Sequence, residues 1–212
     1  FKSSITGFDV TLESWYGGAS KVPMFLYPKD WVSDYIVTVL VLQGGGSLGA
    51  YECGVYKTLH KHKIKFDIVA GTSIGGINAA IIAGSKNNEP AKDLEDFWLT
   101  LAETVTPSFL DDKARAFSSS MYSAMWGNSK VFQPIWFKPN SFNFLYNYPY
   151  LYDITPLKNT LKQYVDFDKL KNPDRPRLIV TSTDIQSGKS SVFDSKYDHV
   201  GAENVLASAG FP

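Results

Sequence analysis

Two glycine-rich turns constrain this chain more than any other feature. Each forces a strand to end in a turn too tight for side chains and then to continue as a helix. The first is Gly44-Gly45-Gly46-Ser47-Leu48-Gly49, directly after the apolar run Ile36-Val37-Thr38-Val39-Leu40-Val41-Leu42. The second is Gly71-Thr72-Ser73-Ile74-Gly75, between Phe66-Asp67-Ile68-Val69-Ala70 and Ile77-Asn78-Ala79-Ala80-Ile81-Ile82-Ala83. The β-branched run 36–42 reads as a strand buried on both faces and central in a parallel sheet. After it, Leu48, Tyr51, Val55, Leu59 and His62 recur at helical spacing and predict a helix over 47–62. A strand over 66–70 and a helix over about 73–85 follow. This strand–helix–strand–helix order implies right-handed crossovers and an α/β sheet. Ligands bind such sheets beyond the carboxyl ends of the strands. Both glycine turns lie there.

The second turn is a G-x-S-x-G sequence placed as strand, turn, helix. Such an elbow lifts a serine hydroxyl above the sheet at a helix N-terminus, where developing negative charge is favoured. The bland alternative is an ordinary helix N-cap serine. The first turn offers a run of backbone N–H groups with no side chains in the way, suited to an oxyanion. It also matches a dinucleotide fingerprint literally, as Gly44-x-Gly46-x-x-Gly49, with Asp67 downstream as a ribose-binding acid. That acid belongs at the end of the second strand, however, and Asp67 stands at its beginning. The oxyanion reading therefore leads, and the two turns together point to acyl transfer from an ester or thioester.

The 212 residues divide into an N-terminal extension, 1–35, and a catalytic domain, 36–212. Within the latter, a helix over 91–103 carries Leu94, Phe97, Trp98 and Leu101 on one stripe. Residues 117–152 form an aromatic-rich insertion without sustained period, either a packed cap or subunit interface, or an acyl-chain channel or membrane-touching lid anchored by Trp126, Trp136 and Phe137. Thr155 and Pro156 open a helix as N-cap and first helical residue. A strand over 177–184, a turn at Gly188, a short returning strand over 190–193 and a helix over 203–208 complete the chain. With 21 basic and 21 acidic residues, no bulk pull toward nucleic acid or an anionic membrane is indicated. The single cysteine, Cys53, excludes an internal disulfide and offers no metal-site spacing; it reads as a small core residue. No apolar run approaches the roughly 20 residues of a spanning helix, and no signal peptide is visible, so a cytoplasmic or peripheral membrane location is expected. The start at Phe1 and the stop at Pro212 suggest a fragment.

The stretches Val41-Leu42-Gln43-Gly44-Gly45-Gly46-Ser47-Leu48-Gly49-Ala50-Tyr51 and Asp67-Ile68-Val69-Ala70-Gly71-Thr72-Ser73-Ile74-Gly75-Gly76-Ile77-Asn78-Ala79-Ala80 resemble the patatin-like phospholipase family in order and spacing. Asp153-Ile154-Thr155-Pro156-Leu157, Arg177-Leu178-Ile179-Val180-Thr181 and Leu206-Ala207-Ser208-Ala209 are similar to its bacterial members. The resemblance implies a patatin-like α/β fold, a mainly parallel central sheet with flanking helices. It implies a Ser–Asp dyad lipid acyl hydrolase with no histidine, metal or cofactor, acting on a phospholipid, lysophospholipid or other fatty acyl ester. Ser73 maps to the nucleophile, and Gly44, Gly45 and Gly46 map to the oxyanion loop.

Two features depart from the family pattern. Leu48 stands where many members carry a basic residue, and the chain has no Asp-Gly pair for the family's catalytic aspartate. In the family that motif follows a segment resembling 205–212, so the base is expected just past Pro212. Within the chain, Asp184, Asp194 and His199 are conceivable partners, while His60 and His62 lie on the far side from the strand ends. Rival functions are an acyltransferase or thioesterase acting on acyl thioesters, and a catalytically silent nucleotide-binding or structural module.

Overall fold

A computed structural model describes residues 4–5, 8–9, 37–103, 128–134 and 152–210. Most of the aromatic insertion lies outside these residues. The chain separates into two units, Phe1–Ile36 and Val37–Pro212. In the first, β1 (Ser4–Ile5) pairs antiparallel with β2 (Phe8–Asp9).

The second unit begins with β3 (Val39–Leu42), a 3-10 turn at Gly46–Leu48 and α1 (Gly49–Lys61). It continues with β4 (Ile68–Thr72), α2 (Ile74–Ala83) and α3 (Pro90–Glu103). The short strands β5 (Gln133–Pro134) and β6 (Tyr152–Asp153) pair antiparallel. Then come α4 (Thr155–Tyr164), β7 (Arg177–Thr183), β8 (Ser190–Asp194) and α5 (Ala202–Ala209). Four strands form one sheet in the order β3-β4-β7-β8. The first three run parallel, and β8 returns antiparallel along β7. This is the mainly parallel α/β sheet with flanking helices that the strand–helix alternation predicts.

The sheet position of β3 differs from expectation. Among the described residues β3 has one sheet neighbour, β4, and Val39 and Val41 are 47% and 73% exposed. The interior strands are β4 and β7, whose Val69, Leu178 and Val180 are fully buried. An apolar β-branched run fits any pleated surface, so composition alone does not distinguish a central strand from an edge strand.

Helix α2 is the buried axis of the fold. Every residue from Gly75 to Ala83 is buried. It packs on β3, β4 and β7 and also meets α1, α3, α4 and α5. A helix enclosed on all sides needs apolar residues all round, which the Ile77–Ala83 run supplies. The start of α4 also differs in detail. Thr155 is its first helical residue and Ile154 its N-cap. The cap is supplied by Asp153, whose Oδ1 accepts from the Thr155 amide at 2.9 Å and from its hydroxyl at 2.6 Å. A carboxylate two residues upstream of the threonine thus satisfies the helix start in its place.

The turn between β4 and α2 tolerates no side chain at its glycines. A Cβ at Gly71 would lie 2.2 Å from the Gly75 carbonyl oxygen, and one at Gly75 would lie 2.3 Å from that of Leu42. Gly54, on the exposed side of α1, has nothing within 4 Å of its Cβ position. Urea unfolding of Gly75→Ala is therefore expected to show a loss of about 2 kcal/mol or more, from overpacking against backbone. Gly54→Ala is expected to gain about 0.5–1 kcal/mol, the helix-propensity difference.

Candidate active site

Ser73 joins β4 to α2 with φ 54° and ψ −126°. A non-glycine residue in that region costs on the order of 1–3 kcal/mol and persists only where its surroundings enforce it. Here they do. The strand is held by its parallel partners, with Gly71 beside Leu42 on one side and Val180 on the other. The helix is locked into the core, and the peptide between them must take up the change of direction.

The first glycine turn lies against this elbow. A Cβ at Gly44 would stand 3.2 Å from Ser73 Cβ, 3.5 Å from the Thr72 carbonyl oxygen and 4.0 Å from Ser73 Oγ. Gly46 has φ +57°, the left-handed conformation that favours glycine, as the chain enters the 3-10 turn. The Leu48 amide closes that turn on the Gly45 carbonyl at 3.2 Å. Gly44, Gly45 and Gly46 are all exposed. The fold thus brings together the serine and the glycine loop, which share no sequence neighbourhood. Leu48, the last residue of the 3-10 turn, is 71% exposed.

A buried polar network ties the loop to the elbow helix. Asn78, fully buried in α2, donates through Nδ2 to the Gly49 carbonyl at 3.0 Å and to Glu52 Oε2 at 2.9 Å. Its Oδ1 accepts from Trp98 Nε1 at 3.1 Å. Burial pushes the Glu52 carboxyl above its ordinary range, and hydrogen bonds from Asn78 and the Gln43 amide draw it back. Gln43 precedes the glycine loop and Gly49 ends it, so both ends of the loop are held from α1 and α2. An asparagine inside an otherwise apolar helical run signals a buried polar partner. Which partner it finds is a matter of tertiary packing.

The remaining candidates are engaged elsewhere. Asp184 Oδ1 accepts from the Gln186 and Ser187 amides, both at 2.9 Å, in the turn before β8. Asp194 pairs with Arg177, whose Nε donates to Oδ1 at 2.7 Å and whose second nitrogen bonds the other oxygen. Arg177 starts β7, at the edge of the sheet opposite the elbow. His199 precedes the start of α5, whose other end carries the residue that contacts Ser73, roughly 10 Å of helix away. His60 lies in the last turn of α1 and His62 caps it, far from the glycine turn that opens the helix. Cys53 is buried in α1, as expected of a core residue. Asp67 accepts from the Thr38 amide at 2.7 Å at the opposite edge of the sheet from the glycine turns. That is the wrong end for a ribose-binding acid. Among the described residues no group of three or more His, Cys, Asp or Glu is arranged to hold a metal ion. Among the same residues no helix is long and apolar enough to cross a membrane.

The family model described as patatin-like phospholipase matches residues 40–212. The chain belongs to the patatin-like phospholipase family. Among curated relatives, it is 41% identical over 64 residues to triacylglycerol lipase SDP1L of Arabidopsis thaliana, covering 30% of this chain and 8% of that protein. It is 38% identical over 76 residues to lysophospholipase NTE1 of Meyerozyma guilliermondii, covering 32% of this chain and 5% of that protein. The chain therefore spans less than a tenth of the length of these relatives. A solved structure from the ExoU–SpcU heterodimer of the Pseudomonas aeruginosa type III secretion system aligns at 19% identity and TM-score 0.40, over 83% of this chain and 36% of that one.

Two substitutions test how this patatin-like domain is held together. Asn78→Ala leaves the Trp98 N–H and the Gly49 carbonyl without their partner, and its unfolding free energy should fall by about 2 kcal/mol or more. The hydrogen bonds from Arg177 hold the Asp194 carboxyl below the ordinary carboxylate range. A lowered folded value means the pair stabilises the fold above about pH 4, the unfolded carboxylate pKa, and that this is lost as pH falls through the folded value. Asp194→Asn should therefore destabilise at pH 7 and flatten the acid limb of stability against pH, measured by thermal unfolding from neutral pH down into the acid range.

Proposed function

We propose that this chain carries the nucleophile and oxyanion loop of a serine lipid acyl hydrolase working through a Ser–Asp dyad. The observation that carries the proposal is the approach of Gly44 to Ser73 across the elbow. In this reading Ser73 Oγ attacks the acyl carbonyl of a phospholipid, lysophospholipid or other fatty ester. The new oxyanion accepts hydrogen bonds from the amides of Gly45 and Gly46, with Gly44 beside them. A single such donor is typically worth about 3 kcal/mol in the transition state. The serine proton passes to an aspartate general base and then to the departing alcohol. The acyl-enzyme is cleaved by a water that the same aspartate deprotonates, and fatty acid leaves.

The base is proposed as the aspartate of an Asp-Gly motif outside these 212 residues, since the sequence contains no such pair. The engagement of Asp184 with turn amides and of Asp194 with Arg177 supports looking elsewhere for it. The similarity to a triacylglycerol lipase and a lysophospholipase supports a fatty acyl ester as the substrate class. A peripheral contact with the lipid surface goes with such a substrate.

The test uses the full-length protein. A fluorophosphonate should add covalently to Ser73, located by peptide mass mapping. Ser73→Ala should lower the hydrolysis of a fatty acyl ester by about 1,000-fold or more while leaving the fold intact. Undiminished hydrolysis by the folded variant would remove the serine from the mechanism.

A further inference from the structure

The strained elbow has a partner that the proposed mechanism does not use. The backbone N–H of Ser73 donates to Ser208 Oγ at 2.7 Å. Ser208 in turn donates its own hydroxyl proton to the Thr181 carbonyl at 2.6 Å. Ser208 is the penultimate residue of α5, and Thr181 lies in β7 directly beside Thr72. The Thr72 and Thr181 hydroxyls also touch. Gly76 lies next to this arrangement: a Cβ there would be in ordinary contact with Ser208 Oγ at 3.5 Å and tight against Val180 Cγ1 at 3.3 Å.

We infer that Ser208 is a positioning residue for the nucleophile, fixing the Ser73 peptide in its left-handed conformation. The inference rests on the reading of Ser73 as nucleophile. The chemistry is directional. A hydroxyl has one proton to give, and Ser208 gives it to Thr181. The oxygen is thereby turned to accept from the Ser73 amide. Without that acceptor, the Ser73 N–H is left in a half-buried position with φ 54° and no bond from Ser208 to hold it. The sheet and α2 still compel the turn, but the Ser73 peptide can tilt within it, and that tilt shifts Oγ relative to Gly44.

The bond has a second consequence. Some serine hydrolases of elbow type recruit amides adjoining the nucleophile to the oxyanion hole. Here the amide of Ser73 itself is occupied by Ser208 and is not free to act as such a donor. The same bond makes α5 part of the active-site wall, because its last turn holds the nucleophile's peptide plane.

The experiment compares wild type, Ser208→Ala and Ser208→Thr in the full-length protein, each confirmed folded by circular dichroism. Two quantities are read: the rate of fluorophosphonate addition to Ser73, and kcat and KM for a soluble fatty acyl ester. Ser208→Ala should slow both labelling and kcat by about tenfold or more, as misplacement of a reacting group does. KM should stay within about twofold, because no substrate contact is lost. Ser208→Thr, which keeps the hydroxyl, should recover most of the loss. A folded Ser208→Ala that labels at the wild-type rate overturns the inference, as does a folded Ser208→Thr no faster than the alanine variant. Should Ser208→Ala not fold, Ser208→Cys keeps the volume with a far weaker acceptor and carries the same expectation. A wild-type protein that does not label at Ser73 refutes the nucleophile assignment itself, and this inference falls with it.

Discussion

The close approach of backbone to backbone where β4 becomes α2 is the constraint on which the rest of the structure depends. At Gly71 and Gly75 the space for a Cβ is already taken by peptide atoms little more than 2 Å away. That crowding lets an almost wholly buried helix begin one residue after its strand ends. It also leaves Ser73 as the one joint able to take up the turn, at a conformation that an L-residue adopts only under compulsion. Strain at Ser73 is thus a product of how tightly the sheet and α2 pack.

The two glycine turns lie about thirty residues apart in sequence, yet they act as one unit because polar groups join them inside the core. Asn78 reaches from α2 to the end of the first turn, and Glu52 reaches from α1 to the Gln43 amide at its beginning. Even a half-buried carboxylate such as Glu52 is costly unless its oxygens are bonded. Here the bonds it accepts hold the loop that faces the serine. On the other side of the elbow, Ser208 and Thr181 hold the serine's own peptide. Loop and nucleophile are therefore braced independently, from α1 and α2 in one case and from α5 and β7 in the other.

Much of this was legible in the sequence, for identifiable reasons. Glycine spacing around a serine, between a strand and an apolar helical run, has few other physical solutions. The elbow and the helices beside it accordingly lie where periodicity and turn chemistry place them. The exposed side of β3 was not legible, because Val and Leu in alternation fit an edge as readily as a centre. The cap of α4 was misplaced by one residue, because Asp153 and Thr155 are both good caps and only geometry chooses between them. The bond between Ser73 and Ser208 joins residues 135 positions apart. No local pattern encodes it.

The account stands on the claim that the Gly44–Gly46 amides and Ser73 converge on one reacting carbonyl. A crystal structure of the full-length protein carrying a fluorophosphonate adduct tests this most directly. The account predicts phosphorus on Ser73 Oγ and a phosphoryl oxygen at about 2.7–3.1 Å from the amides of Gly45 and Gly46. An adduct whose oxygen points away from that loop, held by other donors or by solvent, would contradict it.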